Sequence, residues 1–224
     1  AHRSVDSMRD TPTLRASIMT IPSATFVSTG KPRILGIGGS MNAVSRNRVV
    51  TRHLLDLAED AGAETVFADV RELALPIYIE DTPYDEQPAA LHWLIAQIQA
   101  ADGFIIDSPN YHGTISGAVK NALDAVHILH GADRSYFDNR PVALACYGGP
   151  SSQNVINALY HCVRGMRGLT VPTVVHVGSN QIEMAGDTGR ISDERTLVRA
   201  QAMIGEVLDL IDLRRARDLA AAAD

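Results

Sequence analysis

The chain has 224 residues, of which 46% are hydrophobic and 21% charged, and its formal net charge is −6. This suits one α/β domain with a substantial core, and the acidic balance argues against a nucleic-acid surface. No apolar run reaches the roughly 18 residues of a membrane span. Cys146 and Cys162 give neither a disulfide framework nor metal-ligand spacing.

Residues 1–32 are rich in Ser, Thr, Pro and Arg without sustained periodicity, and read as a flexible N-terminal arm. They lack a basic-then-apolar leader pattern, which predicts a cytoplasmic protein. Residues 33–224 then read as one domain. "RILGIGG" predicts a buried strand, and "SRNRVVTRHLLDLAEDAG" a helix capped by Ser45 and closed by Gly62. "ETVFADV" is a second strand and "PAALHWLIAQIQAA" a second helix, led by Pro88. "GFIIDSP" and "ISGAVKNALDAVHILHG" repeat the alternation, as do "PVALACYGG" and "SQNVINALYHCVRGMRG". "TVPTVVHVGS" is the fifth strand, placed at a sheet edge by Pro172. A last helix starts near Asp193. Five strands alternating with five helices predict a parallel sheet with helices on both faces. Its order is either flavodoxin-like, 2-1-3-4-5, or that of half a dinucleotide-binding fold, with ligands beyond the carboxyl ends of the strands.

Three loops at those ends carry unusual residues. After the first strand, "GIGGSMNAVSRNR" brings Gly38, Gly39, Ser40, Asn42, Ser45, Arg46 and Asn47 to a helix N-terminus, where hydroxyls, amides and the helix dipole suit a phosphomonoester. A solvated turn capped by serine is the plainer alternative. The G-x-G-x-x-G fingerprint fails at Met41, and Asp69 is too distant for its ribose contact. After the third strand come Pro109, Asn110, Tyr111, His112 and Gly113. They can give a flat polar ring an aromatic wall and backbone amides, or they can form no more than a capped connection. After the fourth strand, Tyr147, Gly148 and Gly149 offer amides again. Together the three loops describe a phosphate on the first and a ring on the other two.

Gly39, Ser40, Met41, Ser45 and Asn47 match the pattern G-S-[LM]-R-x-x-S-x-N, and "SPNYHGTISGAVKNALD", Ser108 to Asp124, matches [ST]-P-x-Y-x-x-[ST]-x-x-G-x-x-K-N-A-[IL]-D. On these motifs residues 33 to 185 resemble the NAD(P)H-dependent FMN reductase family. The resemblance implies a flavodoxin-like three-layer sandwich and FMN as cofactor, with NADPH or NADH as co-substrate. It implies ping-pong electron transfer to a small acceptor such as a quinone, free flavin, azo dye or metal oxyanion. Ser40, Ser45, Arg46 and Asn47 would hold the FMN phosphate. Pro109, Asn110, Tyr111, His112 and Gly113 would line the ring, with Tyr147, Gly148 and Gly149 along its far edge. No protein nucleophile is implied; Tyr111 and His112 would orient ring and acceptor, and the Gly148 and Gly149 amides would face developing negative charge. The segment 73–88 is similar to a family loop that borders a neighbouring subunit's site, implying a homodimer or homotetramer. Asn42 stands where the family usually has arginine, removing a contact of roughly 1.5–3 kcal/mol, so that either Arg46 compensates or FMN binds less tightly.

An FMN-binding electron carrier or regulator with little NAD(P)H turnover would use the same loops. His127 and His130 share one helix face at i, i+3 and read as an exposed or interface pair rather than metal ligands. Trp93 is expected in the core or an interface, and Cys146 buried at a strand end.

Overall fold

The computed structural model describes residues 30–221. The expected arm therefore lies outside the described residues, apart from Gly30, Lys31 and Pro32. β1 (Arg33–Gly38) is followed by α1 (Arg46–Asp60), whose cap Ser45 is extended at φ −132° and accepts the Arg48 N–H at 3.1 Å. β2 (Glu64–Asp69) leads into the short α2 (Val70–Leu73), capped by Asp69, and then α3 (Ala89–Ala100). β3 (Gly103–Pro109) and α4 (Gly117–Ala125) follow, then β4 (Pro141–Tyr147) and α5 (Ser152–Gly165). β5 (Leu169–Val177), β6 (Ile182–Ala185), β7 (Thr188–Ile191) and α6 (Glu194–Ala221) complete the described chain.

The five main strands form a parallel sheet in the order β2-β1-β3-β4-β5, so the flavodoxin-like alternative holds. One face is sealed by Leu91, Leu94, Ile98, Val119, Leu123, Ile156 and Leu159 from α3, α4 and α5. The other is sealed by Val50, Leu54, Met203, Ile204 and Val207 from α1 and α6. β3, between β1 and β4, is buried along its whole length. Burial on both faces explains the unbroken apolar run "GFII". β5 lies at an edge, as Pro172 requires. There Glu206 of α6 takes the Thr173 N–H at 2.8 Å and hydroxyl at 2.7 Å, which blunts the edge.

The antiparallel hairpin β6–β7 is an addition to the expected elements. Its signal was local: Gly186 and Asp187 form the turn, with Gly186 at φ +69°. The hairpin is tied to α1 by the Ile191 N–H, which donates to His53 Nδ1 at 2.9 Å. The run Ile115–Gly131, read as one helix, is α4 followed by a 3₁₀ turn over Val126–Leu129. His127 and His130 sit there as an outward pair with stacked rings, centroids 5.4 Å apart, and His127 Nε2 meets Glu80 at 3.1 Å. Trp93 is not in the core: it is 39% exposed and walls a groove with Phe67 and Leu73.

α1 packs against the end of β1 so tightly that Gly38 has no room for a side chain. A Cβ there would lie 2.7 Å from Thr51 Oγ1 and 2.9 Å from the Asp107 carbonyl oxygen. Gly38→Ala is expected to lower stability by about 1–3 kcal/mol, as overpacking does, with a matching fall in the urea midpoint.

Candidate functional site

The loop from Gly39 to Ser45 turns the chain from β1 into α1. Gly39, at φ +90°, accepts a left-handed conformation, and a Cβ there would fall 2.8 Å from Asp69 Oδ1. The two glycines let the loop settle onto Thr51, Asp107 and Asp69. Ser40 and Ser45 are buried, and Ser40 Oγ donates to Ser45 Oγ at 2.8 Å. Asn42 and Arg46 are exposed at the rim, and Asn47 is buried in the first turn of α1. Both polar atoms of the Asn47 amide lack a hydrogen-bond partner. A buried amide in that state costs free energy unless something outside the chain completes it.

The loop is held from behind by a residue that sequence reading passed over. Arg48 is buried, and its Nε donates to the fully buried Asp69 carboxylate. The same guanidinium donates to the carbonyls of Ala43 at 2.9 Å, Asn42 at 3.4 Å and Ser40 at 3.5 Å. Asp69 spends its other oxygen on the Arg71 N–H at 2.9 Å, capping α2. A cation behind the loop thus fixes its carbonyls.

The other two loops differ from expectation in their amides. The Tyr111 and Thr114 N–H groups each donate to the other's carbonyl at 3.1 Å, closing a tight turn with His112 at φ +52°. The Gly113 N–H goes to Asn110 Oδ1 at 3.0 Å, the Asn110 N–H to the Tyr147 carbonyl at 2.9 Å, and the Gly148 N–H to the Val177 carbonyl at 3.0 Å. These amides hold the turn and sheet ends together and are not presented to a ring. That corrects the amide role expected for Gly148. Its lack of a side chain serves packing: a Cβ would stand 2.4 Å from Asn110 Cβ. Ser116 caps α4, accepting the Val119 N–H at 3.2 Å, while its own N–H goes to Ser108 Oγ at 2.9 Å.

The three loops enclose an open cleft of about 170 Å³. Ser40, Asn42, Ser45, Arg46 and Asn47 line one end, with Val44. Pro109, Asn110, Tyr111, Tyr147 and Gly148 line the other. His112, Gly113 and Gly149 are not brought into this lining. Among the described residues no carboxylate lines the cleft, and Arg46 is the charged group in its lining. Directly behind the first loop, however, Asp107 of β3 is fully buried. Burial pushes its pKa to about 7, against the pull of the Thr51 hydroxyl, the Asn47 amide and the Ser108 N–H. An aspartate inside the apolar run "GFIIDSP" was the signal that could have found it. Cys146 is buried as expected, its thiol pushed up by burial and by Asp107's charge. Among the described residues no cluster of His, Cys, Asp and Glu could hold a metal ion, and no helix is long and apolar enough to cross a membrane.

A flavodoxin-like sheet with an anion-suited first loop and an aromatic-walled cleft beyond β3 and β4 defines a mononucleotide-binding flavoprotein class. Comparison with known proteins narrows this. The pattern of the family described as NADPH-dependent FMN reductase matches residues 32–181. An NADPH azoreductase of Bacillus sp. (strain OY1-2) is 30% identical over 146 residues, covering 64% of this chain and 75% of that protein. An FMN-dependent NADPH-azoreductase of Staphylococcus aureus is 27% identical over 179 residues, 78% of this chain and 92% of that one. Among solved structures, FerB, a flavoenzyme NAD(P)H:(acceptor) oxidoreductase from Paracoccus denitrificans, aligns with a TM-score of 0.67 at 22% identity, covering 81% and 97% of the two chains. The chain belongs to the NADPH-dependent FMN reductase family and is an FMN-dependent oxidoreductase that uses NAD(P)H.

The residues present fit FMN: a buried, uncompleted amide and two hydroxyls stand at a helix N-terminus, in a cleft free of carboxylates. Breaking the Arg48–Asp69 pair leaves a buried charge. Arg48→Met is expected to cost about 3–5 kcal/mol in urea unfolding, and adding Asp69→Leu to recover much of it.

Proposed function

We propose that the cleft holds FMN with its phosphate on the loop from Ser40 to Asn47 and its ring against Pro109, Tyr111 and Tyr147. The observation that carries this reading is the Asn47 amide, buried at the head of α1 with neither end partnered. A phosphate oxygen there would accept from Nδ2, and from the Ser40 and Ser45 hydroxyls once they turn from each other. Arg46 and Asn42 at the rim would add a charge-assisted and a neutral donor. Arg46 thus takes the part that arginine at the Asn42 position plays in the family.

Bound FMN supplies the two-electron chemistry that links NAD(P)H to an acceptor. The chain's part is binding and orientation. Pro109 ends β3 with a rigid wall, and Tyr111, 44% exposed on its closed turn, lines the cleft where a flat molecule would rest. Asn110 donates to Ser151 Oγ at 2.8 Å, tying the second loop to the third and keeping that wall in place. The open cleft supports small planar acceptors, quinones and azo dyes among them, entering where the nicotinamide has left. Two copies are proposed to assemble through the loop after α2. Asn121 fixes its backbone by accepting the Tyr78 N–H at 2.9 Å and donating to the Pro76 carbonyl at 2.8 Å. Ile77 and Ile79 are thereby held outward at 78% and 62% exposure, an apolar surface suited to burial against a partner.

Anaerobic titration of the FMN-loaded protein tests the enzyme reading. NADPH is expected to bleach the flavin absorption in a stoichiometric step, and a quinone or azo dye to restore it. Flavin that stays oxidised under excess NADPH and NADH would instead mark an electron carrier.

A further inference from the structure

We infer that Asp107 is a positioning residue for the phosphate loop, and that its protonation and phosphomonoester binding at the head of α1 favour each other. The inference rests on the flavin-phosphate reading above and names a control on that site.

Thr51 Oγ1 lies 3.1 Å from the Asn47 carbonyl oxygen and 3.0 Å from Asp107 Oδ2. A hydroxyl has one proton and can donate only once. Both contacts are hydrogen bonds together when Asp107 is protonated on Oδ2 and donates to Thr51, which then donates to Asn47. An ionised Asp107 claims the Thr51 proton for itself, and the Asn47 carbonyl loses that donor.

Asp107 Oδ1, Asn47 Oδ1 and Asn47 Nδ2 are all buried and none meets a partner at full hydrogen-bond geometry, although the Asn47 amide is near enough to act on the Asp107 carboxyl. Asn47 eases the burial of the Asp107 carboxyl, so the two groups act on one another, and Asn47 also lines the cleft. A carboxylate behind the loop draws the amide's N–H end inward, away from the cleft. A neutral carboxyl releases that end for a phosphate oxygen.

Among the described residues no cation is paired with Asp107. On α1 it meets Asn47 and Thr51, while Arg48 of the same turn is committed to Asp69. β1 brings the uncharged Gly38 against it. On β4 its titratable neighbour is Cys146, whose thiol is held neutral by burial and by Asp107 itself. A dianion on the loop therefore adds repulsion to an already costly carboxylate. The result is mutual: FMN favours the proton, and the proton favours FMN.

The test is the FMN dissociation constant of the apoprotein, read by fluorescence quenching between about pH 7 and pH 9, where a phosphomonoester (second pKa about 6) stays dianionic. Wild-type protein is expected to bind FMN about tenfold more weakly at the upper end. Asp107→Asn is expected to show no such slope and to bind more tightly than wild type at pH 9. A second measurement needs no variant: calorimetric titration near pH 7.5, in two buffers of different ionisation enthalpy, is expected to show uptake of a fraction of a proton per FMN. A flat wild-type profile, a slope that survives in Asp107→Asn, or no proton uptake overturns the inference while leaving the flavin reading intact. Failure of the wild type to bind FMN at any pH overturns both.

Discussion

The site depends first on the grip of Arg48 on the loop in front of it. A buried guanidinium collects the carbonyls of Ser40, Asn42 and Ala43, and the buried Asp69 carboxylate balances its charge. Loops before helices are ordinarily the soft part of an α/β domain, because their backbone groups face water. Here the carbonyl side is consumed inside the protein. What remains toward the cleft is a set of donors: two serine hydroxyls, the Asn47 amide and the head of α1. The pair is costly to assemble, since both charges leave water. Its return is a loop shaped before any ligand arrives, which spares the ordering cost on binding.

The same economy governs the other loops. The turn from Tyr111 to Thr114 closes on itself, and the Gly148 N–H extends the β4–β5 ladder to Val177. Those amides stiffen the wall rather than touch what leans on it. On the proposed reading, recognition would fall to side-chain faces at one end of the cleft and to hydrogen-bond donors at the other. This division suits a catalyst whose acceptors vary, since a π-face discriminates among planar molecules less than directed hydrogen bonds do.

The parallel α/β class was legible in sequence because each strand is bounded by glycine, proline or a capped helix and the runs alternate strictly, but that alternation left two strand orders open and the pairing of β1 with both β2 and β3 decides between them. Ser45 and Asn47 were legible for the same local reason: a helix start advertises its cap and first turn. Arg48 was not. Its partner Asp69 lies 21 residues away on another strand, and only the parallel register of β1 with β2, which sets Gly38 beside Asp69, brings the two together. The spent amides were equally hidden, since composition shows that glycine can approach a ligand but not whether its N–H is already engaged. The β6–β7 hairpin was missed although its Gly-Asp turn was in plain view, because the alternation of strand and helix left no place for it. Asp107 was passed over although a carboxyl among isoleucines was a visible signal, and its meaning comes from the one Thr51 hydroxyl it shares with Asn47.

The central claim is that a preshaped loop grips a phosphomonoester, and comparing FMN with riboflavin, identical but for the phosphate, tests it most directly. Binding of the two by the apoprotein at neutral pH and low salt isolates that group. The account predicts FMN tighter by roughly a hundredfold or more, as two or more charge-assisted hydrogen bonds would give. Equal affinities would contradict it.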